Sequence, residues 1–248
     1  MKLLSAEWLK IRTVISTKVL LIIAFGLTLV VGCLVAANVG IDPLGDFDPL
    51  VLSLTGGSIA VTLLGVVSVL CMAGEYRSQS IRATLAAVPQ RSRLFAAKAV
   101  LVVLLNVGFA ALALGLTTGL AWVILIARGQ APEFGNEHIA TLGGGLILFA
   151  LHGLVGLAIA TLIRNAAAAI CLLVLWPLLF EGLASVMLGL VKVPELSKFL
   201  PFSAGAQLFL QNQGAEDVMS RWSGGLYFAG FAAVLCAAAL WLFNRRDA

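Results

Sequence analysis

Six uninterrupted apolar runs, each about 20 residues or longer, constrain this chain more than any other feature, because a run of that kind is stable in hydrocarbon only as a helix that satisfies its own backbone. At 1.5 Å per residue, about 20 residues cross the roughly 30 Å apolar core of a bilayer. The runs lie near 18–38, 50–73, 99–127, 140–163, 166–190 and 224–243. They predict an all-α polytopic membrane protein with six transmembrane helices, forming a single transmembrane domain over 1–248. Charged residues make up 11% of the chain, far below the roughly 25% of soluble domains, which removes a water-soluble core from consideration. Lys2, Lys10, Arg12 and Lys18 precede the first run as they would in a secretory signal. That run exceeds the roughly 7–15 apolar residues of a signal and five more follow, so it is expected to be a retained span.

The net charge of +4 does not mark a nucleic-acid binder, since the basic residues sit at the ends of apolar runs and form no stripe with interleaved aromatics. They report topology instead. On the side of the amino terminus lie Lys2, Lys10, Arg12, Lys18, Arg77, Arg82, Arg91, Arg93, Lys98, Arg164, Arg245 and Arg246, against Arg128, Lys192, Lys198 and Arg221 on the other. Lys and Arg near short loops stay cytoplasmic, so both termini are expected in the cytoplasm. The acidic residues Asp42, Asp46, Asp48, Glu133, Glu137, Glu195, Glu216 and Asp217 then fall outside. An abundance of Ala, Gly, Val and Leu fits a GC-rich bacterial genome, and with it a bacterial plasma (inner) membrane.

Chemistry of a familiar kind is missing. There is no GxxxxGK[ST], so the chain itself is expected to hydrolyse no ATP. His138 and His152 are the two histidines and no HExxH occurs, while Cys33, Cys71, Cys171 and Cys236 fall within apolar runs without CxxC spacing. No catalytic or metal site is predicted, and His152 reads as a helix-contact group.

Three segments outside the spans carry pattern. In residues 1–16, Leu3, Leu4, Trp8, Ile11 and Ile15 recur at helical spacing while Lys2, Ser5, Lys10 and Arg12 lie largely elsewhere on the wheel, predicting an amino-terminal interfacial helix. Between spans two and three, in 74–98, Ile81, Leu85 and Val88 recur at helical spacing before Pro89, predicting a short amphipathic helix that ends at the proline. Such a helix can seat its apolar face in a partner while Glu75, Arg77 and Arg82 fix its angle by ion pairs. Between spans five and six, 191–221 is too apolar for a free loop and is broken by Pro194 and Pro201, predicting short external helices that dip into the outer leaflet or cap the bundle.

Together, the opening Glu7-Trp8-Leu9-Lys10-Ile11-Arg12, the 74–98 segment and Phe199-Leu200-Pro201-Phe202-Ser203 resemble the permease subunits of ABC transporters of the ABC-2 type, and the resemblance covers nearly the whole chain. It implies an ATP-driven transporter, most often an exporter, working by alternating access. It also implies an ABC ATPase subunit as partner, a second permease chain in a homodimer or heterodimer, and ATP with Mg held by the ATPase alone. Glu75, Arg77, Thr84, Leu85, Pro89 and Arg91 match the family's ATPase-coupling segment, with Arg82 beside them.

Glu181 is the one acid placed inside a span, three to four residues after Pro177, where a carboxylate is costly enough to call for a partner. Sensing substrate, holding a proton and pairing with helix-breaking backbone are its three readings. Gly115 with Gly119, and Gly156 with Ala160, are small-xxx-small pairs that let helices approach closely, within the chain or between two chains. The rival functions are an ion-coupled secondary transporter, for which Glu181 is the one embedded charge, and a membrane anchor or sensor subunit.

Overall fold

Helix dominates the described residues because nearly every residue in the runs either favours helix or has no other way to satisfy its backbone in lipid. A computed structural model describes residues 2–38, 48–78, 80–87, 90–130, 134–209 and 219–245, and for Lys2, Leu3, Arg82, Ala83, Leu85 and Ala87 it describes the backbone alone. Asp42, Asp46, Glu133, Glu216, Asp217 and Arg246, used above for topology, lie outside the described residues.

The order is α1 (Lys2–Thr13), α2 (Ile15–Asn38), α3 (Pro49–Ser53), α4 (Gly56–Arg77), α5 (Ser80–Ala87), α6 (Arg91–Ala127), α7 (Asn136–Ile163), α8 (Ala166–Leu175), α9 (Gly182–Leu190), α10 (Pro201–Ala206) and α11 (Arg221–Arg245). A π-helical segment, Trp176–Glu181, joins α8 to α9, and a 3-10 turn, Pro194–Phe199, precedes α10. Among the described residues, six helical stretches are long and apolar enough to cross a membrane: Ile15–Asn38, Pro49–Arg77, Arg91–Ala127, Asn136–Ile163, Ala166–Leu190 and Arg221–Arg245. The chain is therefore a multi-pass membrane protein.

Two of these stretches are less regular than their sequence implies. The second starts as α3, where Pro49 occupies the first turn and the Asp48 carboxylate accepts from the Leu50 N–H at 2.8 Å. It then tightens through i→i+3 bonds at Leu54 and Thr55 before α4 begins. The fifth carries Pro177, which has no N–H to give, and the wide π turn there absorbs the break without ending the helix. The third runs 37 residues, about 55 Å at 1.5 Å per residue. Its first turns, with Arg91, Arg93 and Lys98, thus project past an apolar layer of about 30 Å.

The second and fourth stretches form the centre, each 61% buried over its most apolar window, against 17% for the fifth and 22% for the first and sixth. Glycine permits the central contact: a Cβ on Gly156 would lie 2.6 Å from the Gly65 carbonyl oxygen, so α4 and α7 meet backbone to backbone. The Gly156 and Ala160 pair therefore serves packing within the chain. Gly115 and Gly119 have nothing within 4 Å of a built Cβ and lie on an exposed face of α6.

Five buried hydroxyls inside the spans are satisfied locally. Thr28, Ser68, Thr117, Thr118 and Thr161 each donate to the carbonyl four residues back, at 2.7–2.9 Å. Asn106 donates to Ser68 Oγ at 3.1 Å and links α6 to α4. His152 is a packing residue, edge-on to Phe202 with ring centroids 5.5 Å apart, in space that Gly65 leaves open. All four cysteines are free thiols.

Candidate functional site

Where α1, α4 and α6 meet, four charges form a ring, three of them buried and the fourth, Lys10, with 44% of its side chain exposed. Glu7 and Lys10 stand three apart on α1, one turn apart on the same face. Glu75 lies in the last turns of α4, and Lys98 lies between Phe95 and Leu101, both buried, on α6. The Lys98 ammonium, 2% exposed, donates to Glu7 Oε2 at 2.6 Å, Glu75 Oε1 at 2.8 Å and the Cys71 carbonyl at 3.1 Å, so its three hydrogens are all used. Lys10 closes the ring, donating to Glu7 Oε1 and Glu75 Oε1 at 2.7 Å each and reaching Thr84 Oγ1 of α5 at 3.4 Å.

Two carboxylates against two ammonium groups leave no net charge, which is what makes the burial tolerable. Burial by itself pushes the Glu7 carboxyl up, but Lys98 and Lys10 more than reverse it and hold Glu7 below its ordinary value of 4.5. Burial likewise pulls Lys10 down, and its bonds to Glu7 and Glu75 outweigh that, leaving it above 10.5. Both ends of the ring are therefore ionised at neutral pH.

The residues matched to the coupling segment fall into three places. Glu75 is turned inward, 6% exposed and engaged with both lysines, so its ion pairs are internal to the chain. Arg77 stands exposed at the end of α4, with no ion pair among the described residues. Thr84 sits on α5 within reach of Lys10, and Ile81 of the same helix is buried at 5% exposure. Arg91 opens α6 and donates from Nη1 to the Phe243 carbonyl at 2.9 Å, where the last turn of α11 concentrates negative dipole. The side chains of Arg82 and Leu85, and Pro89 altogether, lie outside the described residues.

Sequence reasoning placed Lys98 among the topology charges, and Glu7 and Lys10 among the marks of resemblance, without joining them. The legible signal was Lys98 itself, a charge flanked by Leu94, Phe95 and Leu101 with no polar face around it.

A cavity of about 440 Å³ opens beside the ring, between the α1–α2 junction, the end of α4 and the starts of α6 and α8. Ile11, Val14, Leu70 and Leu101 supply apolar wall, while Glu7, Glu75, Lys10, Lys98 and Arg77 supply charge.

At the opposite end of the bundle the embedded acid has a different setting. Glu181, 3% exposed, closes the π segment and accepts from the Phe202 N–H at 2.8 Å, the Ser203 N–H at 2.8 Å and the Ser203 hydroxyl at 2.7 Å. It thus caps the first turn of α10, whose N–H groups have no partner within so short a helix. Of its three readings, the geometry displays pairing with backbone. Nearby, buried Arg221 donates to Thr141 Oγ1 at 2.9 Å and reaches the Leu208 carbonyl at 3.4 Å, holding α11 to α7 and to the turn after α10.

Among the described residues, no group of three or more His, Cys, Asp or Glu is placed to hold a metal ion. Compared with known families, residues 3–179 match the one described as ABC-2 family transporter protein. No curated protein matches the chain.

Proposed function

The chain belongs to the ABC-2 family of transporter proteins, whose members are membrane permeases, and from that premise we propose that it is the transmembrane subunit of an ATP-driven exporter. ATP and Mg are bound by a separate ABC ATPase subunit, α5 is the helix on which that subunit acts, and a second permease chain completes the translocation unit. The amino terminus, α1 and α5 face the cytoplasm in this reading, which the excess of Lys and Arg at that end supports. Alternating access follows from movement of the ATPase passed to the spans.

The observation that carries this reading is the buried ring. A helix eight residues long transmits force to a bundle only if it is tied to it. Lys10 bonds Thr84 of α5 on one side and Glu75 of α4 on the other, while Glu75 and Glu7 share Lys98 of α6. Displacement of α5 is therefore shared among α1 and the ends of the second and third spans. Arg91 extends the connection to the end of the sixth.

The test is purification of the tagged chain from its native host in mild detergent, with identification of the proteins that accompany it. An ABC ATPase is expected, lost when Arg82 and Leu85 are both changed to Glu while the purified chain keeps its thermal midpoint. Absence of any ATPase under conditions that keep the chain folded would overturn the proposal.

A further inference from the structure

The cavity beside the ring offers an occupant positive charge and hydroxyl donors, with its carboxylates covered. Glu7, Glu75 and Lys98 belong to its lining, but their side chains are 7% exposed or less and spend their charges on one another. Lys10 completes a ring whose charges cancel. The net charge of the lining therefore comes from Arg77, an exposed guanidinium with no ion pair among the described residues and a shape suited to phosphate. At the start of α2, Ser16 and Thr17 add two hydroxyls that make no hydrogen bond among the described residues. Thr17 is only 4% exposed, yet its hydroxyl keeps accessible surface and is left to be met from the cavity. A donor so enclosed is costly to leave unmet. What the cavity lacks is an anion with several acceptor oxygens.

The cavity sits where two spans begin and one ends, since Ser16 and Thr17 open α2, Arg77 ends α4 and Ala166 opens α8. This is the level of lipid headgroups in a multi-pass protein. The same end of the chain carries the excess of Lys and Arg, and basic residues at a membrane surface draw anionic lipid. Ile11, Val14, Leu70 and Leu101 give the cavity an apolar wall, and a volume of about 440 Å³ accepts a phosphate with the first part of a chain, leaving the remainder in the bilayer.

We propose that this cavity binds an anionic phospholipid, its phosphate oxygens accepting from Arg77, Ser16 and Thr17 and its acyl chain covering the apolar wall. A zwitterionic headgroup carries the same phosphate with an ammonium attached, which finds the carboxylates already covered and a lining of net positive charge, so the site discriminates by headgroup charge. A soluble phosphate leaves the apolar wall uncovered. The proposal rests on the membrane setting and not on transport, so it stands or falls independently of an ATPase partner.

The experiment uses the full chain, delipidated in detergent at about 0.15 M salt, where general attraction to a basic surface is screened. It reads the thermal midpoint with added dioctanoyl phosphatidylglycerol, phosphatidylethanolamine or phosphatidylcholine, or with soluble glycerophosphoglycerol. Phosphatidylglycerol at saturation is expected to raise the midpoint by about 3 °C or more, with the other three giving less than about a third of that. Arg77→Gln is expected to weaken the apparent affinity about tenfold and Thr17→Val about threefold. Arg93→Gln removes another exposed charge, at the start of α6 and off the cavity lining, and is expected to change the affinity less than about twofold. Equal shifts from the zwitterionic lipids would overturn the proposal, as would an affinity unchanged by Arg77→Gln or lowered as much by Arg93→Gln. An equal response to glycerophosphoglycerol would overturn the lipid in favour of a soluble phosphate ester.

Discussion

The two ends of the bundle bury acids by different means. At the amino-terminal end, Glu7 and Glu75 are neutralised by Lys10 and Lys98. At the other, Glu181 meets two backbone N–H groups and a hydroxyl, with Arg221 bonded separately to Thr141 and Leu208. Ion pairs between side chains tolerate small displacements, because the attraction falls off gradually with distance and long side chains adjust. Hydrogen bonds to backbone N–H groups do not, because their geometry is narrow. The first arrangement suits a joint between moving helices, and the second suits a fixed corner.

That contrast breaks most readily at Lys98. Lys98→Met leaves two carboxylates with only Lys10 between them, and a loss of about 3–5 kcal/mol is expected, the range for removing one partner of a buried pair. Thermal unfolding in detergent measures it, and a change below about 1 kcal/mol would mean that the ring does not hold these helices together.

The fixed corner should respond less, but more locally. Glu181→Ala strips the first turn of α10 of its acceptor and is expected to cost about 2–3 kcal/mol. Limited proteolysis should show faster cleavage around 194–209 with the amino-terminal half unaffected. If cleavage accelerates equally at both ends, the corner is not independent.

Acid distinguishes the ends more gently. Glu7 is held below its ordinary value, so its contribution is complete above about pH 4.5 and is lost as pH falls through the lower folded-state value. Lys10 is held above 10.5, so its contribution is complete below that and lost as pH rises beyond it. Stability from the ring should be level between these limits and fall outside them. Repeating the titration in Glu7→Gln should remove the acid-side component, and an unchanged acid limb would assign it elsewhere.

The smallest effect is expected at Thr84→Val, which deletes a single long bond to Lys10. Stability should change by less than about 0.5 kcal/mol, whereas substrate-stimulated ATP hydrolysis by the assembled complex should drop if α5 is tied to the ring through this contact. Retained stimulation would place the connection elsewhere on the helix.

How much could be read beforehand follows from the range of each interaction. Helices in the spans, the short helix before Pro89 and the short helices around Pro194 and Pro201 depend on neighbours within a few residues, and apolar runs and prolines mark such ranges directly. The break at Leu54 and Thr55 and the widened turn after Trp176 were less legible, because nothing local states how a helix will absorb an interruption. Glu75 was expected to face a partner. It faces Lys10 and Lys98 instead, a choice that depends on residues 65 and 23 positions away.

Alone, the sequence determined that this chain enters a membrane and how many helices are long enough to cross it, because hydrocarbon forbids unsatisfied backbone and water rejects long apolar runs. The tertiary structure decided that α4 and α7 form the centre, that four charges from three helices neutralise one another, and that Glu181 caps a distant helix. Charge and hydrogen bonding are satisfied by whichever groups packing brings within about 3 Å, and that proximity is a property of the assembled bundle.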